Sequence, residues 1–188
     1  MSALKIVAIA GSLRKESYNQ KIINQAAHFA KQAGAEVEII TLRELTIPLF
    51  DEDIEQQGTP ADVQFLKEKL RAADGILLAS PEYNGSITAP LKNAIDWASR
   101  TEVDAQPAFN HKVVALFAAS PGGLGGLRGL NHVRDILSSI GSLVLAEQLA
   151  IPAVHTIFDD KNQLSDSNTA EKISSLTHQL ISVAGKLK

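Results

Sequence analysis

Residues 4–19 read LKIVAIAGSLRKESYN. The first seven, LKIVAIA (4–10), form a continuous apolar run of strand length with no polar face, the signature of a strand buried on both sides. The next nine, GSLRKESYN (11–19), crowd a glycine, two serines, an arginine, a lysine and an asparagine into a loop. From Tyr18 to Gly34, Ile22, Ile23, Ala26, Ala27, Phe29 and Ala30 then recur at helical spacing, and Gly34 ends the helix. A buried strand opening through a polar loop into an amphipathic helix is the first half of a β-α-β unit.

The alternation continues outward from that unit. EVEIITL (36–42), GILLAS (75–80), KVVALFAAS (112–120) and LVLAEQL (143–149) read as further strands, and residues 88–100, 127–140 and 168–187 as helices. TIPLFDEDIEQQG (46–58) reads as an irregular acidic surface loop. Another helix is expected to start with Thr59 as cap, Pro60 in the first helical position and Asp62 in the first turn, and to run to about Ala73. Apolar strands separated by helices predict a parallel sheet with helices on both faces, an α/β three-layer sandwich. Five strands suit the order 2-1-3-4-5 better than the longer Rossmann order, and 188 residues suit one domain spanning 1–188.

Composition removes several function classes. The chain is 45% hydrophobic and 21% charged, as expected of a soluble globular protein, and its net charge of −3 gives no footprint for nucleic acid. The lack of cysteine excludes disulfides, thiol catalysis and thiolate metal sites. The N-terminal apolar run is too short for a signal segment or membrane span, so a cytoplasmic location with no membrane partner is expected. His28, His111, His132, His155 and His178 are too scattered to suggest a metal site or a triad base.

In open α/β sheets ligands bind beyond the carboxyl ends of the strands, which singles out three loops. In GSLRKESYN, Ser17 followed by Gln20 has the form of a capping box, so the helix begins near Tyr18 with its amide donors exposed. An anion belongs there. Gly11 permits close backbone approach, Ser12 and Ser17 offer hydroxyls, and Arg14 adds a charge-assisted contact. The GxxxxGK[ST] spacing is missing, which favours a monophosphate over a nucleoside triphosphate. The alternative is that the serines only cap a helix while Arg14 and Lys15 are solvated. The second loop, with Pro81, Glu82, Tyr83, Asn84, Gly85 and Ser86, offers a proline-set turn, an aromatic face and backbone amides around Asn84 and Gly85 for the polar edge of a flat heteroaromatic ring. In the third, SPGGLGGLRG (120–129), Ser120, Gly122 and Gly123 are small enough to form an opposite wall and leave room for a second planar molecule.

Together, GSLRKESYN and SPEYNGSITAPLKNAIDW (80–97) resemble the NADPH-dependent FMN reductase family, a flavodoxin-like group that includes bacterial quinone, chromate and azo-dye reductases. The resemblance implies FMN, its phosphate held by Ser12, Arg14, Ser17 and Asn19 and its ring against Pro81, Glu82, Tyr83, Asn84 and Gly85. It implies NADPH or NADH as hydride donor, quinones, FMN, azo dyes or metal oxyanions as small-molecule acceptors, and a homodimer or homotetramer. A flavodoxin-type electron carrier shares the fold and cofactor, but the chain lacks the strongly acidic face of such carriers. No side chain is expected to be catalytic in the hydride step, and water or the Tyr83 hydroxyl is left to supply protons.

Three further features have plain readings. Ile95 and Trp97 read as core or subunit contact. The interface expected of helix 88–100 and part of 127–140 rests partly on their apolar surface. Arg128 suits a nucleotide phosphate, a salt bridge or solvent. GLGGLR (123–128) nearly fits GxGxxG, with Glu147 roughly where a ribose-binding acid would lie, but Arg128 replaces the third glycine and the motif follows strand 4.

Overall fold

The computed structural model of the protein describes residues 3–101, 106–159 and 163–188. In chain order the elements are β1 (Lys5–Ala10), α1 (Tyr18–Gln32), β2 (Glu36–Thr41), α2 (Glu52–Gln56), α3 (Ala61–Ala72), β3 (Gly75–Ala79), α4 (Ala89–Ser99), β4 (Val113–Ala119), α5 (Leu127–Ser139), β5 (Leu143–Ile151) and α6 (Ser167–Leu187). The strands form one parallel sheet in the order β2-β1-β3-β4-β5, as the run pattern predicts.

Alternate residues of each central strand feed opposite cores, which is why those strands carry no polar face. Ile6 and Ala8 pack with Ile22, Ile23 and Ala26 of α1 and Leu176 and Leu180 of α6. Val7 and Ile9 point the other way, toward Leu66 and Leu70 of α3, Leu91 and Ile95 of α4, and Leu130 and Val133 of α5. Strands β1, β3 and β4 are almost wholly buried, whereas the edge strands β2 and β5 are partly exposed.

Three local expectations are corrected. The acidic loop contains α2, capped by the Asp51 carboxylate, which accepts from the Asp53 N–H at 2.8 Å. Thr59 caps nothing: Pro60 is the N-cap of α3, without a side-chain bond. Asp62, two residues on, accepts from the Thr46 N–H at 2.7 Å and ties the preceding loop to α3. The apolar surface expected of Trp97 and Ile95 is also absent, since they are 0% and 3% exposed within the single chain. The Trp97 indole N–H donates to the Pro48 carbonyl at 2.8 Å, and its ring meets Phe50 edge-on at 5.0 Å. The loop before α2 is what covers α4 there.

Candidate functional site

The strand order makes β1, β3 and β4 neighbours, so the loops that follow them meet at one end of the sheet. They enclose a cavity of about 150 Å3 lined by Ser12, Arg14, Ser17, Tyr18, Asn19, Pro81, Glu82, Tyr83, Ala119, Ser120 and Pro121. Sharing Glu82 and Ser120 with it is a second hollow of about 270 Å3, bordered by Gly122, Gly123, Leu124, Gly126 and Arg128. A larger hollow of about 330 Å3 opens between β1, β2 and α3, lined by Lys5, Glu36, Glu38 and Lys69. It faces the amino ends of β1 and β2, where Lys69 is paired with Glu38 at 2.8 Å, and carries none of the loop chemistry. The candidate site is therefore the pair of adjoining hollows.

Ser17 is the N-cap of α1, its hydroxyl oxygen accepting from the Gln20 N–H at 3.3 Å. Among the described residues nothing accepts from the N–H groups of Tyr18 and Asn19, so two helix-terminal donors are left for an anion. Ser12 and Ser17 are buried and line the cavity. The Ser12 oxygen accepts from the Arg14 N–H at 3.3 Å. Arg14 donates from Nε to the Glu16 carbonyl at 3.1 Å and lies 5.5 Å over the Tyr18 ring, so the cation is already held at the loop. Gly11 differs from its expected role. A Cβ there would come within 2.7 Å of the Leu91 Cβ, so the close approach it permits is to α4, and Thr88 donates its hydroxyl to the Gly11 carbonyl. Thr88, which also caps α4, was legible only as a helix start.

The second loop is a tight hairpin. Tyr83 and Ser86 exchange backbone bonds of 2.9 and 3.0 Å, and Asn84 and Gly85 take φ of 52° and 79°, the Asn-Gly pattern of a type I′ turn. Tyr83 stands 58% exposed at the mouth of the cavity. Glu82 lines both hollows, and its carboxylate is bonded to the start of α5. One oxygen accepts from the Arg128 and Gly129 N–H groups at 3.0 and 3.2 Å, and the other from Arg128 Nε at 2.7 Å. Burial raises the Glu82 pKa, yet these bonds outweigh it and hold the carboxyl below the usual glutamate value. Arg128 is thus an ion-pair partner, and Glu82 caps α5, whose own N-cap, Gly126, has no side chain to offer. His132 Nδ1, 2.9 Å from Ser86 Oγ, ties the hairpin to the same helix.

In the third loop Ser120 lines both hollows, and Gly122 and Gly123 border one. A Cβ on Gly123 would meet nothing within 4 Å, so this wall is open. The glycines of the near-GxGxxG stretch serve packing instead. A Cβ on Gly125 would lie 2.6 Å from the Ile151 backbone, and one on Gly126 2.7 Å from the Ala118 Cβ. Glu147 accepts from Gln179 at 2.6 Å, on the β5–α6 side of the sheet. The side chain of Asn19 also departs from its expected place: it is bonded to the backbone of Ala119 and does not face the cavity as a free ligand.

The residues present fit a phosphorylated planar cofactor: paired free amides, two hydroxyls and a held cation at one end, and a hairpin with an open glycine wall at the other. The model of the family described as NADPH-dependent FMN reductase matches residues 4–156. An NAD(P)H-dependent FMN reductase of Pseudomonas aeruginosa is 37% identical over 171 residues, covering 90% of this chain and 89% of that protein. A quinone reductase of Escherichia coli is 41% identical over 144 residues, 76% of this chain and 73% of its own. The solved structure of a flavoenzyme NAD(P)H:(acceptor) oxidoreductase from Paracoccus denitrificans matches with a TM-score of 0.85 at 25% identity, covering 98% of both chains.

Proposed function

This chain belongs to the NADPH-dependent FMN reductase family, and from that premise we propose that it is an oxidoreductase carrying electrons from NADPH or NADH through FMN to quinones or similar small acceptors. The observation that carries the reading is the convergence on one crevice of a helix start with free amides, a tight hairpin loop and an open glycine wall. When bound, FMN supplies the chemistry, taking up hydride and giving electrons to an acceptor.

The chain's own residues bind, orient and leave access. The Tyr18 and Asn19 amides, Ser12, Ser17 and Arg14 would anchor the FMN phosphate. Tyr83 would border the ring, and the Asn84-Gly85 turn, which follows Tyr83 but does not itself line the cavity, would offer its amides to the ring's polar edge. Gly122 and Gly123 add no bulk where a nicotinamide or quinone must approach. Water or the Tyr83 hydroxyl supplies protons to the acceptor.

We further propose a cytoplasmic homodimer or homotetramer. Among the described residues no helix is long and apolar enough to cross a membrane. With Trp97 buried, support for assembly comes from Tyr83, Leu124 and Leu127, exposed around the crevice. The visible spectrum of purified protein tests the function directly: a flavin band bleached by NADPH or NADH and restored by a benzoquinone is expected. A band that persists under millimolar NADH and NADPH, yet bleaches with a separate reductase, identifies an electron carrier instead.

A further inference from the structure

Strand β4 is two residues longer than β3, and the excess creates a problem that the chain solves with a side chain. The last rungs between them run through Phe117, whose carbonyl accepts from the Ser80 N–H at 2.8 Å. Two residues on, the N–H and carbonyl of Ala119 face the same side. The chain after Ser80 has turned away there through Pro81, which has no N–H to give. Asn19 fills the gap. Its Nδ2 donates to the Ala119 carbonyl at 2.9 Å, and its Oδ1 accepts from the Ala119 N–H at 3.0 Å.

One primary amide therefore reproduces the paired donor and acceptor of a peptide and adds one more rung to the sheet. Both partners are buried, at 4% exposure each, so loss of the amide would leave unpaired polar groups out of reach of water. The rung joins two pieces of the site that are 100 residues apart in sequence. Asn19 is the second residue of α1, next to the free amides of the anion loop. Ala119 is the last residue of β4, followed directly by Ser120, Pro121, Gly122 and Gly123.

We propose that Asn19 is a positioning residue whose side chain locks the phosphate loop to the ring-side wall, and that only its backbone N–H is available to the phosphate. The inference rests on the flavin-binding reading above and assigns the side chain a different task from phosphate ligation. A side chain bonded to phosphate matters for FMN and not for riboflavin, which lacks the phosphate. A rung that sets the wall matters for both. Asn19→Asp sharpens the distinction. The ionised carboxylate has no donor and opposes the Ala119 carbonyl, whereas the protonated acid has the same shape and donor–acceptor pair as the native amide. Burial and the facing carbonyl raise its pKa. The charged and titratable groups that line the same cavity are Arg14, Tyr18, Glu82 and Tyr83, with the Glu82 carboxylate already bonded to Arg128 and Gly129.

The test measures NAD(P)H-driven reduction of bound FMN and of bound riboflavin across pH in native protein and Asn19→Asp. At pH 8 the variant is expected to lose at least tenfold in rate with both flavins and to recover with both as the pH falls, while the native protein shows no such recovery. Loss confined to FMN, with riboflavin unaffected, would overturn the proposal. A second measurement needs no variant and no flavin. In native apoprotein the Ala119 amide should exchange hydrogen at least a hundredfold more slowly than the unpaired Tyr18 amide, and equal rates would also overturn it. If NAD(P)H reduces neither flavin in native protein, the enzymatic reading fails, and the exchange rates still decide the rung.

Discussion

At the scale of single residues, the site separates groups that face the cavity from groups that hold the cavity together. Arg14 belongs to the first set. Its guanidinium is anchored to the Glu16 carbonyl and laid over Tyr18, and among the described residues it has no charged partner, so a phosphate can take its free edge. Arg14→Ala removes one charge-assisted contact, about 1.5–3 kcal/mol, and should raise the dissociation constant for FMN roughly 10- to 150-fold. Riboflavin binding should be unchanged. Fluorescence titration with both flavins checks this, and equal losses would refute a phosphate role. Ser12, Arg14 and Ser17 were readable in the sequence because a helix start advertises itself locally, through a cap and a glycine within a few residues. Asn19 and Glu82 were placed at the site, but the tasks of their side chains were not readable. Their side chains bond backbone groups about 100 and 46 residues away, and such distances appear only when the sheet order is known.

At the scale of elements, the strands and long helices were legible because each carries a period that burial imposes. Helix α2 carries none: it is short, acidic and exposed, and nothing in it points to a core. Of the two readings of Trp97 the core one holds, and the apolar surface expected of it fails for a related reason, since its cover is the irregular segment around Pro48 and Phe50, which has no sequence signature of its own. The near-dinucleotide motif misleads in the opposite direction. Its glycines are required by contact with Ile151 and Ala118, and the helix they lead into is capped by Glu82 from another loop. That cap has a pH dependence whose sign follows from the depressed Glu82 pKa. The unfolded chain takes up the proton first, near pH 4.3, so the cap's stabilisation is complete above that value and is lost as pH falls through the lower folded one. Native protein should therefore lose stability more steeply than Glu82→Gln on acidification below about pH 4.3, and denaturant midpoints at pH 3 and pH 7 for the two proteins measure the difference.

At the scale of the whole molecule, the order β2-β1-β3-β4-β5 places the anchor and the open wall on different loops, after β1 and β4. The two tasks of the site can then be altered independently. Gly123 offers the cleanest separation: a Cβ there meets nothing within 4 Å and the backbone does not take a positive φ, so a Leu side chain starts without a clash, beside a hollow bordered by Ser120 and Gly122. Gly123→Leu should cut NAD(P)H-driven flavin reduction at least tenfold, about 1.4 kcal/mol in the barrier, because the bulk obstructs approach of the nicotinamide. FMN affinity should stay within about twofold of native, below 0.5 kcal/mol, since the phosphate anchor lies on the other loop. Stopped-flow reduction and flavin titration read the two halves separately. Reduction slowed in proportion to weakened FMN binding would mean that the glycine wall belongs to the cofactor's own seat. A native rate with native affinity would move the entry route for nicotinamide away from the third loop.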